Sequence, residues 1–82
     1  MINKLTDKEL SKIARELSKI EDDMLYAWGL NKISGGFVSV DLFEYDNDTL
    51  DLQIKSGVEN NCSSNIETES ITMDRKTLKI VN

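Results

Sequence analysis

The hydrophobic residues of this chain change their period once, at Ser34-Gly35-Gly36. Before that point apolar residues recur every three or four positions, as on one face of a helix. After it they alternate at every second position, as in strands with one buried face. Two successive glycines separate the patterns and favour a turn between them. The sequence therefore predicts an N-terminal helix followed by an antiparallel sheet.

The start of the helix is marked by Thr6-Asp7-Lys8-Glu9, which has the spacing of a capping box. In this motif the Thr6 hydroxyl accepts a hydrogen bond from the Glu9 amide, and the Glu9 carboxylate accepts one from the Thr6 amide. The helix is predicted to run for about 22 residues and to end at Gly29, because glycine suits a left-handed helix end. Its apolar face comprises Leu10, Ile13, Leu17, Ile20, Met24 and Ala27. A coiled-coil dimer is an alternative use of this face, although the pattern is short for one.

A first hairpin is predicted around Asp46-Asn47-Asp48, whose residue types favour a turn. A three-residue loop would pair Tyr45 with Thr49 and keep the apolar residues of both strands on one face. The apolar pairs of this register are Val40 with Ile54 and Leu42 with Leu52.

A second hairpin is predicted around Asp74-Arg75-Lys76, with strands over residues 66–73 and 77–81. Its apolar pairs would be Ile71 with Ile80 and Met73 with Leu78. The polar residues 57–65 are predicted to form an exposed connection between the hairpins. The fold class is thus α+β, with one N-terminal helix packed on a four-stranded antiparallel sheet in two layers. Residues 1–82 are expected to form a single domain, because so short a chain supports one core.

The sequence lacks the residues that most kinds of catalysis require. The chain has no histidine, so Ser-His-Asp and Cys-His systems lack their base. Cys62 has no nearby cation to activate it and is expected to be an incidental thiol in a loop. Gly35-Gly36 lacks the Lys-Ser/Thr of a phosphate loop. Counting from Asp46, a calcium loop of the EF-hand type would need glycine at its sixth position and glutamate at its twelfth, and both are missing. We expect a protein that is not an enzyme and has no catalytic residue, metal or cofactor.

The expected location is the cytoplasm. No apolar run approaches the roughly 18 residues of a membrane span, and MINKLTDKEL has no apolar block typical of a signal peptide. A secreted domain of this size would usually be stapled by disulfides, which a single cysteine cannot form within the chain. The abundance of Ile, Asn, Lys and Ser is typical of an AT-rich genome, as in low-GC bacteria and their phages.

Negative charge is concentrated in the middle of the chain. The formal net charge is −5, and residues 21–51 carry eight acidic side chains and a single lysine. Phe43 and Tyr45 alternate away from the apolar face of the first hairpin, so both rings are expected to stand exposed beside these acids. Exposed aromatic rings among acids are typical of a binding surface, because rings supply binding energy and a field of one sign selects a basic partner. A solubilising surface is the simpler alternative. The predicted partner-binding residues are Asp41, Phe43, Glu44, Tyr45, Asp46, Asp48 and Asp51.

These features predict a small acidic inhibitor or regulator, a monomer or small homo-oligomer, that docks an acidic hairpin on a basic and often nucleic-acid-handling surface of a larger protein. A phage-encoded anti-defence protein has this general profile. One alternative is a nucleic-acid-binding accessory protein that uses a basic stripe on the helix, and another is a structural self-associating domain. Direct binding to nucleic acid or membrane is not favoured, because Glu9 and Glu16 are placed to neutralise the stripe. The basic stripe comprises Lys4, Lys8, Lys12, Arg15 and Lys19.

Overall fold

One helix lies against a three-stranded antiparallel sheet in the computed structural model, which describes residues 1–60 and 64–81. Along the chain the elements are helix α1 (Asp7–Ala27), a 3₁₀ turn (Leu30–Lys32) and strands β1 (Gly36–Tyr45), β2 (Thr49–Glu59) and β3 (Ser64–Asp74). The strands lie in the order β1-β2-β3. The predicted α+β arrangement of a helix on an antiparallel sheet is confirmed, whereas the predicted fourth strand is wrong.

Helix α1 begins at the predicted capping box. The Glu9 amide donates to the Thr6 hydroxyl over 3.1 Å, and the Thr6 amide donates to the Glu9 carboxylate over 3.2 Å. The helix ends at Ala27, just before Gly29, whose positive φ of 68° is the left-handed conformation that glycine adopts at little cost. Ile13 and Ile20 are buried. The central part of the apolar face that a coiled coil would use is therefore covered by the sheet of the same chain, while Leu10 and Ala27 at its ends are exposed.

The core lies between α1 and one face of the sheet. Its buried members are Ile13, Ile20, Val40, Leu50, Leu52, Ile54 and Met73. Because side chains alternate along a strand, the residues between these core positions point to the other side of the sheet. We call that side the outer face; α1 packs against the opposite side, where the core lies.

The pairing of β1 with β2 follows the predicted apolar register and departs from it near the turn. Val40 lies opposite Ile54 and Leu42 opposite Leu52, as predicted. Tyr45, however, lies opposite Leu50 and not opposite Thr49. The pairing shifts by one residue just after Leu42, which is a β-bulge.

Asp46 explains the longer turn that this bulge accommodates. Its carboxylate accepts hydrogen bonds from the amides of Asp48, over 2.8 Å, and Thr49, over 2.7 Å. Its own amide donates to the Thr49 carbonyl over 3.0 Å. The turn closes around the aspartate side chain, as in an Asx-turn. The additional turn residue is compensated by the bulge, so the apolar pairs further along the strands keep their register.

Strands β2 and β3 pair without interruption from Thr49 opposite Asp74 to Glu59 opposite Ser64. The predicted exposed connection over 57–65 is therefore wrong at both ends, because residues 57–59 belong to β2 and residues 64–65 belong to β3. Polar residues in this part of the hairpin are held by the backbone ladder and have no buried face, so no alternation of hydrophobicity reveals them. Cys62 was predicted to be an incidental thiol in this connection and lies outside the described residues.

After β3 the chain makes a turn that is longer than predicted. The Asp74 carboxylate accepts the amides of Lys76 and Thr77, over 2.8 and 2.9 Å, and the Leu78 amide donates to the Asp74 carbonyl over 2.9 Å. This turn uses residues that were predicted to begin a strand. A single bridge follows, between Met73 and Ile80. The predicted pairs, Ile71 with Ile80 and Met73 with Leu78, are therefore wrong.

Candidate functional site

Four of the predicted partner-binding residues lie together on the outer face, close to the bulge. Glu44 lies directly opposite Asp51 on the neighbouring strand. Asp41 occupies an adjacent outward position of β1, and Phe43 stands at the bulge with 71% of its surface exposed. We call this group, Asp41, Phe43, Glu44 and Asp51, the outer acidic patch.

Two of the three carboxylates in the outer acidic patch accept a hydrogen bond from a hydroxyl group, and none of the three has a cationic partner within residues 1–60 and 64–81. The Thr72 hydroxyl donates to the Asp51 carboxylate over 3.2 Å, and the Ser39 hydroxyl donates to the Asp41 carboxylate over 3.3 Å. Ion pairs within residues 1–60 and 64–81 involve only Glu9 and Glu16 among the acids. The negative charge of the patch is thus not neutralised by another side chain in the described part of the molecule.

The other three predicted residues, Tyr45 at the end of β1 and Asp46 and Asp48 in the turn, are not part of this patch. Tyr45 was expected to stand exposed on the outer face, and this is wrong: the bulge turns it toward the core side, where it packs beside the core. Hydrogen bonds from the amides of Thr49 and Asp48 lower the pKa of the Asp46 carboxyl. Asp48 is exposed, and its carbonyl accepts the amide of Arg75 over 2.9 Å. Tyr45 and Asp46 therefore serve chiefly to build the turn.

Arg75 is the residue that sequence reasoning missed. Its side chain is only 7% exposed, and its Nε donates to a Glu9 carboxylate oxygen over 2.9 Å. Its Nη1 donates to the carbonyls of Asn3 and Asp46, and its Nη2 donates to the Lys4 carbonyl and to Glu9. The guanidinium also lies 5.6 Å from the centre of the Tyr45 ring. Arg75 thus joins the N-terminal segment, the start of α1, the first turn and the end of β3.

No local pattern could have identified this role, because Arg75 and Glu9 are separated by 66 residues. The sequence placed Arg75 in a polar turn, where arginine is usually solvated. The capping box was the one feature of the sequence that could have suggested such a contact. It engages one oxygen of the Glu9 carboxylate and leaves the other able to accept a hydrogen bond from a distant donor.

The ion pair between Glu9 and Arg75 predicts a specific pH dependence. The Arg75 guanidinium and the Thr6 amide lower the pKa of Glu9 from 4.5 to about 2. A carboxyl whose pKa is depressed by folding contributes stability that is fully present above its unfolded pKa and is lost as the pH falls toward its folded pKa. We therefore expect Glu9→Gln to be destabilising at pH 7 and to have progressively less effect as the pH falls from about 4.5 to about 2.

Urea denaturation followed by circular dichroism across this pH range measures the effect. Glu16→Gln is the matched control, because Glu16 is 4.0 Å from the exposed Lys19 and its loss should change stability little. Equal free energies of unfolding for Glu9→Gln and Glu16→Gln at pH 7 would contradict the role given to Glu9.

The basic stripe is less neutralised than expected. Glu9 was predicted to pair with stripe cations, but its carboxylate is bound to Arg75 instead. Glu16 remains next to Lys19 at 4.0 Å. All five stripe cations are exposed, and the four that lie within α1 follow one side of it at helical spacing. Exposed cations therefore follow the solvent side of the helix, while the outer acidic patch lies on the opposite side of the sheet.

A cavity of about 350 Å³ lies beside Arg75, between α1 and the two turns. Glu9 and Arg75 both line it, but they are already bonded to each other. Among residues 1–60 and 64–81 no three His, Cys, Asp or Glu side chains are grouped as metal ligands. In the same part of the chain no helix has both the length and the apolar character needed to cross a membrane.

Comparison with known proteins does not assign the chain to a family. No protein-family model matches it, and no curated protein or solved structure is significantly similar to it. The functional interpretation therefore depends on the residues and their geometry.

Proposed function

We propose that this protein is a small non-enzymatic binding module that docks its outer acidic patch on a basic surface of a larger protein. The observation that carries this proposal is the position of Phe43, 71% exposed on a β-bulge, at neighbouring strand positions to Asp41, Glu44 and Asp51. A bulge re-aims a side chain, and an exposed aromatic ring supplies the apolar contact that anchors many interfaces.

Folding energetics alone do not explain this arrangement. Glu44 and Asp51 lie directly opposite each other on neighbouring strands. Like charges in such a pair destabilise a sheet by roughly tenths of a kcal/mol, and no cation offsets them in the described residues. A cationic partner would convert this repulsion into attraction at the moment of binding, and the attraction would weaken as salt screens it.

The partner class follows from charge. Basic protein surfaces most often bind nucleic acid, so an acidic patch would compete there with phosphate groups. An inhibitor or regulator of a nucleic-acid-handling protein is the function that fits this competition best, and a phage-encoded anti-defence protein in the bacterial cytoplasm is one such case.

Charge reversal on the outer face tests this function. We expect Asp41→Lys combined with Glu44→Lys to reduce partner binding at least tenfold, and Phe43→Ser to reduce it similarly. Asp51 is left unchanged because it also bonds Thr72. Partners captured from a low-GC bacterial lysate would be quantified by mass spectrometry and then titrated calorimetrically with each variant, with double-stranded DNA as competitor.

The matched control is Asp22→Lys combined with Asp23→Lys, which changes the formal charge equally at two exposed helix positions. Under the proposal the control variant still binds the captured partner, and double-stranded DNA displaces the wild-type protein from that partner. Equal losses for both double variants would show a general charge effect and contradict a specific site.

Direct nucleic-acid binding through the basic stripe is the second candidate, because the diversion of Glu9 to Arg75 leaves the stripe less neutralised than its sequence suggests. The same variants separate the two functions. For a stripe that binds DNA, outer-face reversal would strengthen binding to a labelled duplex, whereas Lys8→Glu combined with Lys12→Glu would weaken this binding and reduce its salt dependence.

A further inference from the structure

The two edges of the sheet differ in how their backbone groups are satisfied. On the β1 edge, the Val40 amide donates to the Glu21 carboxylate of α1 over 2.8 Å. On the β3 edge, the C-terminal residues 79–81 pair only with the last residues of the strand. Residues 64–70 of β3 are all exposed and have no edge partner within the described part of the chain.

The contacts of the C-terminal segment show which backbone groups of β3 point outward. The Val81 amide donates to the Thr72 carbonyl, and the Asp74 amide donates to the Lys79 carbonyl, both at the outer edge. Backbone groups of a strand alternate between its two neighbours, so Ser70, Thr68 and Ile66 present their amides and carbonyls to the same side as Thr72. A strand bound along residues 64–70 would therefore lie on the same edge of β3 as residues 79–81, in line with them.

The side chains along this edge define the chemistry of a fitting strand. Glu67 and Glu69 lie opposite Ser56 and Ile54 of β2, on the helix side of the sheet, and both are exposed. Because their own amides and carbonyls point toward β2, an antiparallel strand added to β3 would face them in the closely spaced, non-hydrogen-bonded positions. Lysine or arginine there would pair favourably with both carboxylates.

A second copy of this chain fits this edge poorly. Antiparallel pairing of two β3 strands about Thr68 would place Glu67 of one copy opposite Glu69 of the other. Like charges at such close positions disfavour the pairing. Charge thus selects a basic occupant.

We propose that residues 64–70 of β3 bind an extended basic peptide segment, with Lys or Arg at alternate positions, as a fourth antiparallel strand. This surface is separate from the outer acidic patch, and the proposal does not depend on the function suggested above. Strand addition provides affinity through the backbone, while the alternate side chains provide specificity.

The test uses two capped synthetic heptapeptides of the same charge, TKTKTKT and KKKTTTT, titrated into the ¹⁵N-labelled full chain. We expect TKTKTKT to shift the amides of Ile66, Thr68 and Ser70, to protect them from hydrogen exchange, and to bind at least tenfold more tightly than KKKTTTT. Equal affinities, or shifts confined to the outer acidic patch, would overturn the proposal. Concentration-dependent shifts of β3 without peptide would also overturn it, in favour of self-pairing.

Two sets of variants confirm the mode of binding. Thr68→Pro removes an outward amide at a position where an edge strand tolerates proline, and should abolish binding, whereas Thr68→Val should preserve it. Glu67→Lys combined with Glu69→Lys should no longer bind TKTKTKT and should bind the acidic peptide TETETET instead. This double variant tests the mode of binding even if the proline variant fails to fold. If it still preferred TKTKTKT over TETETET, the proposal would be overturned. Asp41→Lys with Glu44→Lys should leave peptide binding unaltered, which separates this site from the outer acidic patch.

Discussion

Replacing Arg75 with methionine is expected to lower the melting temperature by roughly 10 °C. Methionine keeps the apolar stem of the side chain but removes every guanidinium donor. The carbonyls of Asn3, Lys4 and Asp46 and the Glu9 carboxylate would then lose a partner at the same time. Since these groups belong to three different parts of the chain, namely the N-terminal segment, the start of α1 and the first turn, we expect the whole turn end of the molecule to loosen.

Thermal melts by circular dichroism at pH 7 measure this effect. Lys76→Met is the matched control, because it removes the same charge from the neighbouring exposed residue. Arg75→Lys should lie between the two, since an ammonium group keeps the charge of Arg75 but cannot reach all of its acceptors in a fork. Melting temperatures for Arg75→Met and Lys76→Met that agree within experimental error would refute the joining role of Arg75.

Replacing Gly57 with alanine is expected to destabilise the protein by about 2 to 3 kcal/mol. Gly57 lies inside β2 with a φ of 148°, a conformation that residues with a Cβ rarely adopt. A Cβ at this position would also meet the backbone carbonyl of Asn65 on β3. Both effects act where β2 and β3 pair, so this end of the hairpin should separate first.

Urea denaturation gives the change in the free energy of unfolding, and hydrogen exchange locates it. Lys55→Ala provides the comparison, because Lys55 is an exposed residue of the same strand and its truncation should change stability by no more than about 0.5 kcal/mol. Similar values for Gly57→Ala and Lys55→Ala would mean that the backbone at position 57 relaxes without cost.

The parts of the fold that sequence could predict have local or strictly periodic causes. The helix start is specified by Thr6 and Glu9, three residues apart, and its end by Gly29. Pairing Val40 with Ile54 was predictable because a slip of one residue would bring the apolar side chains of one strand to solvent. For the candidate site, the same alternation predicted that Phe43 would be exposed, and this is confirmed.

The errors arose where polar side chains or distant residues determine the backbone. Asp46 lengthens the first turn through its carboxylate, and the resulting bulge moves Tyr45 to the core side. Asp74 does the same after β3 and displaces the strand that was predicted there. Arg75 meets Glu9 only in the folded chain. Hydrophobic periodicity carries no information on any of these contacts.

The Glu21 contact with Val40 affects how molecules of this protein would behave when crowded. Continuous fibres require each subunit to offer hydrogen-bonding strands on two sides. Here a carboxylate from the helix already occupies a backbone donor on one side. A molecule that joined a growing stack through β3 would therefore offer the next one a β1 edge with a backbone donor at its middle already engaged. We expect this to weaken further addition and to disfavour long filaments.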